Sequence, residues 1–103
     1  MTSVTSNAQN VIDPAFVEQI ALRASSTEDL RRLPDETIAE ARGSGLFELL
    51  LPARYGGTEA PFPAVLEPVR QLAHGCTSTA WTLGFYALHN CMITLFDEQA
   101  QDE

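Results

Sequence analysis

His89 is the side chain in this 103-residue sequence whose chemistry is most usable near neutral pH. An imidazole there both takes and gives a proton, which suits it to general acid or base work. On a helix it shares a face with Thr82, Phe85, Tyr86, Ile93 and Phe96, a polar group among mostly apolar ones. The same setting also fits a core histidine satisfied by a backbone carbonyl. Trp81, with Phe85, Leu88, Met92 and Leu95, keeps core spacing, and lining a pocket is its second reading. His74 ends a helical stretch, where it serves as a favourable charge or a donor to the last carbonyls. Tyr55-Gly56-Gly57 is first of all a turn, because adjacent glycines answer a backbone need for positive φ. Ser78 has no histidine–acid pair at nucleophile spacing, which argues against hydrolase chemistry. Neither a GxGxxG nor a GxxxxGK phosphate loop occurs. Cys76 and Cys91 lie on or beside one helix, fifteen residues apart. That separation is ~22 Å at helical rise, against a disulfide limit of ~7 Å between Cα atoms. They are expected to be free thiols, which suits a reducing compartment. No cysteine–histidine spacing suggests zinc, so no metal site is expected.

Helices must position these groups. Asp13 and Pro14 form an N-cap and first helical residue, and Phe16, Ile20, Ala24 and Leu30 carry the periodicity toward Leu33. Ser25-Ser26-Thr27 interrupts it, and Ser26 with Asp29 has capping-box spacing, leaving one helix or two open. Pro34 begins the next helix, with Asp35 and Glu36 in its first turn, Ile38 and Ala41 inward, and Gly43 or Gly45 at its end. Leu46 to Leu51 is an apolar run too short to type by periodicity. A third helix is expected from near Pro63 to Gly75, kinked at Pro68. A fourth, capped by Thr77-Ser78-Thr79, is expected to reach about Phe96. From Gln71 to Phe96 there is no Asp, Glu, Lys or Arg, so this helix is apolar nearly all round. Such a helix is buried on every side or spans a membrane. Spanning needs ~20 consecutive apolar residues, and Gly84, His89, Asn90 and the threonines interrupt this one, so burial is expected. Its short neighbours cannot cover it fully, which leaves an apolar patch of the kind that marks a missing partner surface. The last residues, 97–103, read as the first turns of another helix, and the chain looks cut off.

The six bases, all arginine, face fourteen acids for a net charge of −8. That balance supplies no dense basic patch, so neither nucleic acid nor an anionic membrane is an expected partner. One domain is the limit at this length. Residues 1–12 read as a disordered lead without a secretory pattern, and a cytoplasmic location is expected.

Two stretches, RLPDETIAEARGSGLFELLLPARYGG and GCTSTAWTLGFYALHNCMITLFDEQAQDE, together resemble the N-terminal helical domain of the acyl-CoA dehydrogenase superfamily. Ser78-Thr79-Ala80-Trp81, His89-Asn90 and the Leu95-Phe96…Ala100-Gln101 run favour one branch. It is the reduced-flavin-dependent monooxygenases, the aromatic and secosteroid hydroxylases and dibenzothiophene-type enzymes. The resemblance implies an all-α bundle of about four to five helices over residues 13–103, without the middle β-domain and C-terminal helical bundle of the family.

It further implies the substrate-side wall of a flavin-dependent oxidoreductase acting with reduced flavin and O2 on an aromatic or polycyclic substrate. The 103 residues alone are expected to be inactive and to bind no flavin tightly. His89, Trp81, Tyr86 and Phe85 become candidate substrate contacts, with the imidazole placed to hydrogen-bond a phenol or assist its deprotonation. Catalytic and flavin-binding residues are not assigned within this chain. The cofactor of the complete enzyme would be FAD or reduced FMN. Its partners would be the missing domains or a chain supplying them, a flavin reductase, and further copies in a homo-tetramer. The N-terminal piece of an FAD-dependent acyl-CoA dehydrogenase and a non-catalytic helical interaction module are the competing readings.

Overall fold

The computed structural model describes residues 12–102. Of the expected N-terminal lead, residues 1–11 lie outside the described residues, while Ile12 is buried in the core. Helix α1 spans Pro14–Leu22, and the Asp13 carboxylate caps it by accepting from the Ala15 N–H at 2.9 Å. The chain breaks at Arg23, whose ψ of 3° leaves the helical range, and restarts as α2, Ala24–Leu30. Two helices therefore occupy the stretch left open above. Ser26 lies inside α2 rather than at its cap, because the break falls three residues earlier. Arg31 closes α2 in the left-handed conformation.

Helix α3, Asp35–Ser44, follows an extended Pro34 and ends at Gly45, whose φ of 88° is cheap only for glycine. Asp35 and Glu36 stand at its positive end and Arg42 in its last turn, each where the macrodipole favours it. Leu46 to Leu51 is neither helix nor strand but consecutive turns that drive Leu46, Leu49 and Leu50 into the core. Three backbone bonds tie this segment to residues 58–60: Thr58 N–H to Glu48 O, Glu59 N–H to Leu51 O and Ala60 N–H to Leu49 O.

A 3-10 turn, Phe62–Val65, leads into α4, Leu66–Gly75. The expected kink at Pro68 does not occur. Pro68 is the third residue of α4, in the first turn, where a missing N–H breaks no helical bond. Helix α5, Thr77–Met92, gives way to a 3-10 turn at Ile93–Leu95, so it is shorter than expected. Its N-cap is the extended Cys76 without a side-chain cap bond; Thr77-Ser78-Thr79 lies inside the first turn, and Thr79 is buried. Helix α6, Glu98–Asp102, completes six α-helices among the described residues.

Helix α4 sits between α1 and α5. Phe16 and Ile20 from α1, Leu72 from α4 and Ala80, Leu83 and Ala87 from α5 form the core with Leu46 and Leu49. Two glycines permit the approach of these helices. A Cβ on Gly75 would stand 2.6 Å from the Val17 carbonyl oxygen, and one on Gly84 would stand 2.8 Å from Val69 Cγ2. The molecule is a slab of 41 × 38 × 18 Å. With helices ~10–12 Å across, that thickness holds two layers and leaves the outer face of α5 unpacked.

Candidate functional site

The unpacked face of α5 carries an aromatic row. Trp81, Phe85 and His89 recur every four residues, the spacing that brings side chains over one another on a helix. The Trp81 and Phe85 rings stack at 5.0 Å and 14°, and Phe85 meets the His89 imidazole edge-on at 4.2 Å. Trp81 is 66% exposed, which corrects the core spacing read for it. Alternation of large and small residues gives the reason. The buried face of α5 is made of Thr79, Ala80, Leu83, Gly84 and Ala87, all small except Leu83, which lets it pass close to α4, and the aromatic residues are turned outward.

His89 is exposed rather than buried, yet its ring is oriented by a backbone carbonyl. Nδ1 lies 2.8 Å from the Phe85 oxygen. A carbonyl only accepts, so Nδ1 carries the hydrogen in that bond and the neutral ring keeps the lone pair of Nε2 free. The carbonyl bond expected of a core histidine exists, but the residue is not in the core, and Nε2 points away from that bond. Of the face-mates expected beside it, Thr82 turns its hydroxyl back to the Ser78 carbonyl at 3.0 Å, while Ile93 and Phe96 are exposed.

Tyr86 stands beside the row, its ring edge-on to Phe47 at 5.9 Å and 73°. Asn90 donates from Nδ2 to the Phe47 carbonyl at 2.6 Å, tying α5 to the turns after α3. Together Ile38, Arg42, Phe47, Tyr86, His89 and Asn90 line a depression of about 450 Å³. That lies within the ~300–1,000 Å³ common for small-molecule clefts. The structure therefore brings His89 and Tyr86 into one depression and leaves Trp81 and Phe85 on the adjoining ridge. Arg42 and Phe47 were not singled out from sequence. The four-residue step from Ile38 to Arg42 on α3 was the signal that both face one way. A larger hollow of about 1070 Å³ borders α1, with Phe16, Glu40, Gln71 and His74 in its walls. Its lining begins at Ile12, the first described residue, and it holds none of the aromatic row. There His74 Nε2 faces the Arg70 guanidinium at 3.1 Å and so accepts from a side chain.

The Tyr55-Gly56-Gly57 loop is consumed by internal structure. Gly56 has φ of 85°, and a Cβ on Gly57 would lie 2.0 Å from the Leu51 carbonyl oxygen. The Tyr55 hydroxyl donates to Asp102, and Arg54 pairs with Glu98 at 2.8 Å and reaches Gln101. This loop clasps α6. Cys76 and Cys91 are free thiols. Burial pushes the Cys76 thiol up, but hydrogen bonds from Ser78 and Thr79 outweigh it and hold the group below 9.0. Among the described residues no cluster of histidine, cysteine or carboxylate could hold a metal, and no helix is long and apolar enough to cross a membrane.

Known proteins share this arrangement of sequence. The oxygenase subunit HsaA of a flavin-dependent monooxygenase from Mycobacterium tuberculosis is 41% identical over 106 residues, covering 100% of this chain and 27% of that protein. The oxygenase component of p-hydroxyphenylacetate 3-hydroxylase from Acinetobacter baumannii is 40% identical over 88 residues, 85% of this chain and 21% of its own length. Dibenzothiophene monooxygenase from Rhodococcus erythropolis is 38% identical over 64 residues, 62% and 15% respectively. The chain thus spans about a quarter of the length of the first of these relatives. No solved structure matches it. The family described as acyl-CoA dehydrogenase, N-terminal domain, matches residues 7–103. The resemblance drawn from the two sequence stretches is therefore shown across almost the whole chain, and the protein belongs to the acyl-CoA dehydrogenase N-terminal domain family.

Proposed function

We propose that residues 13–103 form the substrate-side domain of the oxygenase component of a flavin-dependent monooxygenase acting on an aromatic or polycyclic compound. One observation carries this reading: the exposed Trp81–Phe85–His89 row ends in an imidazole whose Nε2 is free beside a small-molecule-sized depression. The names of the relatives support it, since each is a flavin-dependent or hydroxylating enzyme component or a monooxygenase.

In this reading the aromatic surfaces of Tyr86 and Phe85 flank a substrate ring, and Trp81 extends that wall. The imidazole Nε2 of His89 accepts a hydrogen bond from a ring hydroxyl and eases its deprotonation, which enriches the ring for electrophilic attack. Flavin supplies the oxygen chemistry from elsewhere in the complete enzyme. A flavin reductase delivers the reduced cofactor, FAD or FMN, and the whole assembles as a homo-tetramer in the cytoplasm.

A chimera tests the assignment. This chain replaces the matching N-terminal segment of HsaA from M. tuberculosis, and hydroxylation is assayed with reduced flavin. His89→Ala in the chimera is expected to lower kcat/KM by about tenfold to a hundredfold while flavin affinity stays unchanged. Flavin affinity that collapses while substrate binding survives would show that the imidazole serves the cofactor, and an unchanged kcat/KM would remove it from the site.

A further inference from the structure

Resting on the substrate-side reading above, we infer that Arg42 makes the depression selective for aromatic substrates that carry an anionic group, a carboxylate or comparable oxyanion, attached to the ring. Arg42 is the only charged side chain among the six that line it, the others being Ile38, Phe47, Tyr86, His89 and Asn90. No carboxylate shares that wall. Among the described residues Arg23, Arg32, Arg54 and Arg70 each pair with an acid while Arg31 and Arg42 pair with none, and of these two only Arg42 lines the depression. In a chain with fourteen acids and six bases, a guanidinium left without a carboxylate is free to take one from a ligand.

The surroundings favour such a contact. Phe47 and Tyr86 meet edge-on and supply an aromatic wall against which a substrate ring can lie. A planar guanidinium presents paired N–H groups that match the two oxygens of a carboxylate. Asn90 spends one N–H of its Nδ2 on the Phe47 carbonyl, and what it has left is neutral, so Arg42 is the cation an anionic group would meet there. His89 Nε2 serves the neutral, hydroxyl end of the ligand. Polar recognition in the depression thus divides between an acceptor nitrogen and a cation, as a hydroxylated aromatic acid requires. A helix-terminal arginine also favours the end of α3 through the macrodipole, but that role involves no ligand.

Two isosteric probes separate these roles: 4-hydroxybenzoate, which is anionic, and 4-hydroxybenzamide, which is neutral. Each is titrated into the 103-residue chain, at a concentration where sedimentation shows a monomer, while amide resonances are followed by NMR. Both are expected to shift Tyr86, His89 and Asn90, with the acid binding about tenfold tighter, a difference of ~1.4 kcal/mol. Arg42→Gln should abolish the preference and leave amide binding unchanged. Arg42→Lys, which keeps the charge and the helix end but not the fork, should retain part of it and guards against misfolding of the first variant. Equal binding of the two probes, or a preference that survives Arg42→Gln, would overturn the role of Arg42 while leaving the substrate wall in place. If neither probe shifts those three residues, the substrate wall falls as well.

Discussion

Arg23 stands where α1 breaks into α2 and reaches across to α3. Its guanidinium donates to both Glu40 oxygens, at 2.8 and 3.1 Å, and to the buried Thr37 hydroxyl at 3.2 Å. The hydrogen bonds from Arg23 hold the Glu40 carboxyl below its usual 4.5. A carboxyl with a depressed folded pKa contributes stability that is fully present above its unfolded value and is lost as pH falls through the lower folded one. Glu40 is 41% exposed, so solvent screening limits the pair to about 1 kcal/mol or less. Arg23→Ala is therefore expected to lower stability by about 1 kcal/mol at neutral pH and to flatten the loss seen on acidification below 4.5. Thermal unfolding of both proteins across that range checks it. A variant whose acid sensitivity matches the parent would show that Glu40 does not carry the effect. The same rule of one donor and one acceptor orients His89, where the Phe85 carbonyl decides which nitrogen faces outward.

At the scale of helices, contact depends on two glycines that are not equivalent. Alanine at either would gain up to ~1 kcal/mol of helix propensity. At Gly75 the added carbon meets backbone, the Val17 carbonyl oxygen at 2.6 Å, and α1 and α4 would have to separate. At Gly84 it meets a valine methyl, which can be removed. Gly75→Ala should cost about 1–3 kcal/mol net, and Gly84→Ala less, with Val69→Ala restoring part of the second loss but none of the first. Urea unfolding of the four proteins measures this; a Gly75→Ala variant as stable as the parent would mean that α1 and α4 pack less closely than described. Helix starts and stops were legible wherever one residue dictates the backbone, as at Asp13-Pro14, Pro34 and Gly45. The break at Arg23 was not, since no glycine, proline or capping residue marks it, and what the residue does there, a bond to Glu40 on α3, is long-range. Pro68 misled because periodicity placed the helix start too early, and the orientation of Trp81 misled because core spacing is the same on both sides of an apolar helix. His89 and Tyr86 could be found from α5 alone, whereas Arg42 and Phe47 join them only through the folding of α3 and the turns after it.

Across the whole molecule the balance of covered and uncovered apolar surface decides behaviour in solution. The slab is 18 Å thick, and α5 lies against α4 on one side only. Trp81, Phe85, Tyr86, Met92, Leu95 and Phe96 are all between 45% and 80% exposed and run along one edge from α5 into the turn that follows it. Each large apolar side chain left in water forgoes ~1.5–3 kcal/mol of burial, a large sum beside a domain stability of ~5–15 kcal/mol. The charge of −8 opposes association, but those charges lie outside the stretch from Gln71 to Phe96 and act across solvent, where salt screens them. The 103-residue chain is therefore expected to self-associate through this edge or to bind a hydrophobic dye, and raising the salt should strengthen association. Charging the edge with Phe85→Glu and Phe96→Glu should reduce both behaviours without unfolding the chain, since neither side chain is in the buried core. Sedimentation and dye fluorescence on the parent and the double variant test this together. A monodisperse parent that unfolds cooperatively and gives no dye signal would show that the exposed row is tolerated in water, and would shift the reading of α5 toward a small, self-sufficient interaction module.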